Sequence, residues 1–438
     1  MVKITFLGAC REIGRSAVLV ESERTSTRIV LDYGIRLMGK EENMPGHIRS
    51  RDLTAIVLTH AHIDHTGGAP IFYVSGSPRI YATPLTFKLT RTLLVDMMKI
   101  QRKGEENYIP FTSNEVTKLF EARNDLQYRV RDQISRDCYI TLLNAGHIPG
   151  SAMVLVEMDG KNILYTGDIN ATRTRLLPPL EPPDQLPPID CVIVESSYAT
   201  QNHPPREKIE EDFINAVKAI RKNGGKILVP AFGVSRSQEI LGVLAAHKIH
   251  DNIFVDGMAR SVAEMFLRFP AYLRDAQEYE KSLKNVHFIA DRQAREERKM
   301  AYNTKGAIII APSGMLKGGT ARLYAEKLLP DADSGVFLVS YQIEGTPGRA
   351  LLEEKIFTDE NGKVIDHPVN ANVNYFEFSS HAGMDQLHWF VESLKKKSPG
   401  LRAYCVHGEE ANTISFANYL SSRGIAAEAP IFGQQINI

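Results

Sequence analysis

LTAIVLTHAHIDHTGG, residues 53–68, joins an apolar run to three histidines and an aspartate packed into six positions. A strand ending at Thr59 points His60 and His62 to one side, and the turn after it brings Asp64 and His65 to the same opening. Imidazole nitrogens with a carboxylate oxygen suit zinc. One histidine in such a loop would be read as accidental; this density is not. The cluster alone cannot complete two metal sites, so further ligands are expected at other strand ends. His147 in LLNAGHIPGSAM, Asp168 in ILYTGDIN and His407 in AYCVHGEE each follow an apolar strand beside a glycine. The same geometry, repeated, would assemble a binuclear site along the rim of a sheet.

The remaining sequence bounds what such a site could belong to. A chain of 438 residues is expected to form about two to three domain-sized units. Hydrophobic residues make up 43% and charged residues 24%, ordinary for a globular protein. Lys+Arg and Asp+Glu are both 52; no overall basic charge points to a nucleic-acid or membrane partner, although a local basic groove is invisible in a total. Cys10, Cys138, Cys191 and Cys405 form no CxxC pair, which argues against a zinc ribbon or a disulfide framework and for reduced thiols in a cytoplasmic protein. MVKITFLGACREIG starts at once as a strand, with no signal-peptide pattern. No run approaches the roughly 18 apolar residues that span a bilayer, so no membrane partner is expected.

Strand-like segments dominate the first 195 residues: KITFLGA, SAVLVES, RIVLDYG, AIVLTH, RIYAT, CYITLLNAG, AMVLVEM and NILYTGD. Asp-Gly in EMDGKN predicts a hairpin. Helical stretches PLTFKLTRTLLVDMMKIQ and NEVTKLFEARNDL interrupt them, and the proline-rich 176–190 reads as a linker or surface loop. Strands and helices then alternate through KILVPAF, NIFVDG, GAIIIAP and SGVFLVSY, as in βαβ units with a mainly parallel sheet. The strand pattern of the first part returns near VNYFEFSSHAG and RAYCVHGE. An α/β insert over residues 200–375 is therefore expected inside a first domain made of 1–199 and 376–438.

HxHxDH followed by a later His, Asp and His in this order resembles the metallo-β-lactamase hydrolase superfamily, over the whole chain. The resemblance implies an αββα sandwich in which His60, His62 and His147 hold one zinc ion and Asp64, His65 and His407 the other, with Asp168 bridging. It also makes Asp32 of VLDYG the aspartate that supports a histidine ligand from behind. Histidine at position 62, where the di-iron branch has Glu, argues for hydrolytic zinc. VIVESSYA with Glu195, FEFSSHAGMDQL with His381 and CVHGE look like the three motifs of the β-CASP nucleases. PAFGVSRSQEIL, VDGMA, APSGMLKGG and YQIEGTPGRALLE also resemble that group. FSSHAG resembles the archaeal and eukaryotic cleavage and polyadenylation specificity factor branch, here expected to lack the KH extension of some archaeal relatives. Ser197 and Ala199 stand where the family often has Thr and Gly.

The resemblance implies a zinc-dependent ribonuclease, acting as endonuclease, 5′-3′ exonuclease or both, that leaves 5′-phosphate and 3′-hydroxyl ends. Two zinc ions would activate water and offset phosphate charge, with Asp64, Glu195 and His381 carrying catalysis and His381, held by Glu195, as the general acid. A cleft between two domains is expected to grip single-stranded RNA. Ser379 and Ser380 beside the acid, Lys317 in SGMLKGG, and Arg236 and Arg349 just past strands are the candidate phosphate contacts. KKK at 395–397 reads as solvated charge at a helix end, Trp389 as core on a helical apolar face, and His388 as structural. His47, His203, His247, His250, His287 and His367 match no ligand motif. The apolar ending AEAPIFGQQINI could pair with a second copy. Two rivals predict differently: a thioesterase- or lactonase-like small-molecule hydrolase needs neither Glu195 nor His381, and a non-catalytic RNA-processing scaffold usually loses ligands.

Overall fold

Alternation along the strands builds the first of two compact units. A computed structural model describes residues 1–36, 43–101, 109–359 and 361–438. Val2, Ile4 and Phe6, then Val18 and Val20, then Cys138, Ile140 and Leu142 point to one shared apolar layer. That layer lies between two seven-stranded sheets. The first runs, edge to edge, Gln435–Asn437, Val2–Phe6, Val18–Ser22, Arg28–Leu31, Ala55–Val57, Arg79–Ala82 and Arg123–Asp125. The second runs Ala426–Glu428, Arg402–Val406, Cys191–Glu195, Lys161–Tyr165, Ala152–Met158, Cys138–Asn144 and Arg131–Ser135.

Central strands are apolar on both faces because helices cover the outer ones. Val192 and Val194 of the second sheet pack with Leu387, Phe390 and Phe416 from helices Met384–Lys397 and Glu410–Ser422. Ile56 and Leu58 of the first sheet pack with Phe87 and Leu119 from helices Pro84–Gln101 and Ser113–Glu121. Four layers result, helix–sheet–sheet–helix, the sandwich expected. The Asp159-Gly160 turn has φ of 52° and 77°, the left-handed pair a two-residue hairpin needs.

The second unit comprises Arg173–Pro178 and His203–Ser379, and the first comprises Met1–Thr172, Pro179–Asn202 and Ser380–Ile438. The second unit has one six-stranded sheet, Val286–Phe288, Ile253–Val255, Ile308–Ala311, Ile227–Pro230, Gly335–Leu338 and Asn372–Tyr375. Every strand pairing described in it is parallel. Helices bury Phe213, Ile240 and Leu244 on one face and Tyr324, Leu328 and Leu351 on the other.

Three expectations need correction. Residues 176–190 are not a free linker: Leu177, Leu180, Leu186 and Ile189 are buried. The helix expected through Leu126 ends at Glu121, and Arg123–Asp125 pairs with Arg79–Ala82 as an edge strand. Its polar sequence carries no strand pattern, so pairing alone decides. Asn372–Tyr375 pairs with Gly335–Leu338 in the parallel sheet, inside the span 200–375 read as the insert. Trp389 is 46% exposed, not core; His388 beside it stacks on Tyr419 at 3.5 Å. The four cysteines are unpaired and three are buried. Among the described residues no helix is long and apolar enough to cross a membrane.

Candidate metal centre

Parallel strands end together, and here the ends of two sheets meet in one unit. Asp32 follows Arg28–Leu31, His60 to His65 follow Ala55–Val57, Asp168 follows Lys161–Tyr165, and His407 follows Arg402–Val406. Glu195 is the last residue of its strand. The Ala152 amide donates to the Thr59 carbonyl at 2.8 Å and ties the rims of the two sheets. Several of these ends leave the sheet through left-handed backbone: Asp32 at φ 56°, Gly167 at 52° and His407 at 50°. At Gly167 a Cβ would lie 2.7 Å from the Thr59 Cβ. A larger residue there would push Asp168 off its strand end.

The ligand-bearing loop is held from below. His62 to Gly67 wind through the short helix Ile63–Thr66. Residues 33–35 run alongside, with the Tyr33 amide donating to the His65 carbonyl at 2.9 Å and the Ile35 amide to Ile63 at 3.1 Å. Gly34 permits this approach, since a Cβ there would fall 1.7 Å from the Asp64 carbonyl oxygen.

Potential ligand atoms of His60, His62, His147 and Asp168 lie within 4.8 Å of one another, as do those of Asp64, His65 and His407. Asp168 faces both groups. Its Oδ2 is 3.5 Å from His60 Nε2 and 3.6 Å from His147 Nε2. Its Oδ1 is 3.4 Å from His65 Nε2 and 3.3 Å from His407 Nδ1. His407 Nε2 in turn is 3.3 Å from Asp64 Oδ2.

The far nitrogens of these rings are already committed, which fixes what the near ones offer. His65 Nδ1–H donates to Asp32 Oδ2 at 2.7 Å, and His147 Nδ1–H donates to the Ser380 carbonyl at 2.8 Å. His60 Nδ1 meets the Thr59 hydroxyl at 3.1 Å, and that hydroxyl donates to Asp32 at 2.8 Å. Lone pairs therefore converge: His60 Nε2 and His147 Nε2 lie 3.0 and 3.2 Å from His62 Nδ1. Asp168 Oδ1 is buried without a hydrogen-bond donor. Lone pairs meeting lone pairs beside an orphaned carboxylate oxygen is the arrangement a cation resolves, so the donor set fits divalent metal.

Electrostatics divides the cluster. Burial lowers His60, His62 and His147, leaving neutral imidazoles of the kind a cation needs. Burial opposes charge on His65 as well, but Asp168 and Asp32 outweigh it and raise that ring well above the usual range. Burial likewise works against the Asp168 carboxylate, and the positive fields of His407 and His65 overcome it.

A further pair stands beside the ligands. His381 Nδ1–H donates to both Glu195 oxygens, at 3.0 and 2.9 Å, and its Nε2 faces Asp168 Oδ2 at 3.9 Å. The Ile169 amide fixes Glu195 through a 2.7 Å bond to Oε1. Burial disfavours charge on His381, but Glu195 and Asp168 prevail and raise it to about 9.

Of the expected phosphate contacts, Ser380 lies in this unit and gives its carbonyl to His147. Ser379, Arg236, Lys317 and Arg349 belong to the second unit. Arg236 opens helix Arg236–Ala246, Lys317 is exposed, and Arg349 pairs with Glu353 one turn away at 2.5 Å. Residue patterns gave no sign of Thr59, whose amide and hydroxyl both bond Asp32. Only its position next to His60 could have signalled Thr59. Ser197, noted in the sequence only as a departure from the family pattern, places its hydroxyl 3.3 Å from His407 Nδ1.

Asp32 thus steadies His65 directly and His60 through Thr59. Asp32→Asn is expected to cost about 10–100-fold in metal affinity, measured by competition with a chromogenic chelator. An unchanged affinity would remove Asp32 from that role.

Residues 19–184 match the metallo-beta-lactamase superfamily domain, 237–351 the Beta-Casp domain, and 366–430 the Zn-dependent metallo-hydrolase RNA specificity domain. The chain is 36% identical to RNase aCSPSF2 of Saccharolobus solfataricus, covering 99% of this chain and 85% of that one. It is 35% identical to Probable RNase MJ4 of Methanocaldococcus jannaschii, covering 100% of both. Transcription termination factor FttA of the same archaeon is 32% identical, over 95% of this chain and 68% of its own. Among solved structures, a protein of unknown function from Enterococcus faecalis V583 superposes with a TM-score of 0.65 at 13% identity, covering 99% of each chain, a likeness of fold alone.

Proposed function

We infer, from the fact that this chain belongs to the β-CASP ribonucleases of the metallo-β-lactamase superfamily, that it hydrolyses single-stranded RNA with two zinc ions. One observation carries the two-metal reading: the oxygens of Asp168 divide between two sets of imidazoles. His60, His62 and His147 would hold one cation, Asp64, His65 and His407 the other, and Asp168 both. When bound, the pair supplies Lewis acidity to water and to the phosphate oxygens.

The chain's own groups account for the remaining steps. Asp64 keeps 26% of its side chain open and is assigned to orient the attacking water. In-line attack breaks the bond to the 3′-oxygen, leaving a 5′-phosphate and a 3′-hydroxyl. His381 Nε2–H protonates that leaving oxygen while Glu195 holds the opposite nitrogen. Glu195 cannot turn away, because the Ile169 amide pins it. The burial of His147, Asp168 and His407 favours a single strand over a duplex. Ser379, Ser380, Arg236, Lys317 and Arg349 remain the proposed contacts to the RNA backbone. Localisation in the cytoplasm fits four unpaired thiols, and Ile431 and Phe432, 56% and 47% exposed, are the proposed contact for a second copy.

RNAs labelled at one end, in 5′-triphosphate and 5′-monophosphate forms, test this reading. Fragments ending in 3′-hydroxyl, lost on chelation and restored by zinc, are expected. Fragments ending in cyclic phosphate, or cleavage that survives chelation, would overturn it. A ladder of internal fragments from both forms marks internal cleavage, whereas degradation of the monophosphate alone marks entry from the 5′ end.

A further inference from the structure

Glu239 and Arg206 lie outside every group described so far, yet each point where the chain changes unit leads to them. The chain passes between units at 172/173, 178/179, 202/203 and 379/380. Within the second unit, the excursion Arg173–Pro178 gives two amides to the buried Glu239: Arg175 N–H to Oε1 at 3.0 Å and Leu176 N–H to Oε2 at 2.8 Å. Arg206, three residues past the third crossing, gives its Nη2 to Glu239 Oε1 at 2.7 Å. Its Nη1 reaches the carbonyl of Ser379, the last residue before the fourth crossing, at 3.4 Å. The same guanidinium lies over the Phe378 ring, 4.8 Å from its centroid.

The surroundings hold this knot tightly. Arg206 and Glu239 side chains are 8% and 5% exposed. One turn along its helix, Glu210 takes the Arg175 guanidinium at 2.7 Å. A Cβ on Gly242 would stand 3.0 Å from the Arg175 Cβ, so the excursion lies close against helix Arg236–Ala246. Burial alone would raise Glu239, but Arg206 and the two amides lower it, and it stays charged.

What leaves the knot is chemically informative. Ser380, next after the tethered carbonyl, receives His147, and His381 comes immediately after it. Asp168 precedes the first crossing by four residues. We propose that Glu239 and Arg206 are positioning residues for RNA cleavage, fixing the Phe378–Ser379 backbone so that His381 is presented to the leaving oxygen. This rests on the assignment of His381 as the acid.

R206K keeps a cation against Glu239 but cannot bond two acceptors in fork geometry or stack on Phe378. E239D, one methylene shorter, slackens the same knot while keeping its charge. Each is compared with wild type on RNA and on bis(p-nitrophenyl) phosphate, whose leaving group departs as a stable anion and needs no proton. Both variants should lose about 10–100-fold in kcat on RNA. KM and the rate on the activated diester should stay within about twofold, with metal content unchanged. Equal losses on both substrates, or undiminished RNA cleavage, would overturn the inference. H381A is the control: if it too loses both substrates equally, the acid assignment itself fails and takes the inference with it. Selectivity in H381A but not in R206K and E239D sinks the inference alone.

Discussion

Asp168→Asn is expected to empty the metal centre and end RNA cleavage, forfeiting most of the about 10⁶-fold or greater acceleration typical of enzymes. The carboxylate lies within 3.6 Å of imidazoles in both proposed ligand sets. An amide offers one neutral oxygen and turns an NH2 toward nitrogens that must present lone pairs. Asp168 stands against four of the imidazoles at once, so its removal changes the whole cluster rather than one bond. Metal analysis of the purified variant should give well under two ions per chain, where the wild type gives about two. Two retained ions with cleavage within about tenfold of wild type would mean that Asp168 neither bridges nor binds.

His381→Ala should leave the ions in place and still cost about 10²–10⁴-fold on RNA. The reason is the leaving group: a ribose 3′-oxygen departs poorly as an alkoxide, and His381 is the imidazole beside the cluster whose second nitrogen is anchored on Glu195. Glu195→Gln should do less harm, because the Gln carbonyl can still accept from Nδ1–H. Its amide cannot hold the ring charged, so the loss should remain readable in kcat. The double variant is expected to be scarcely worse than His381→Ala, since both changes disable one device. Losses that multiply would assign Glu195 a separate task.

The cluster was legible because its chemistry is local: its residues follow apolar runs, and neighbouring parallel strands such as Lys161–Tyr165, Cys191–Glu195 and Arg402–Val406 end side by side. Glu195 and His381 were legible only through resemblance, since 186 residues separate them and nothing in either segment announces a hydrogen bond. Arg123–Asp125 escaped because three polar residues became a strand through a neighbour rather than by propensity. Arg173–Pro178 escaped for a related reason: its proline-rich surroundings read as a linker, while its amides answer to Glu239, more than sixty residues downstream. Trp389 misled because helical spacing says which positions share a face, not whether anything covers it.

His407, the last member of the cluster in sequence, follows a strand that lies between Cys191–Glu195 and Ala426–Glu428. The second unit is therefore complete in sequence at Ser379, whereas the cluster needs a residue from a later strand. A chain cut between the two would carry the whole parallel sheet and lack one member of the cluster.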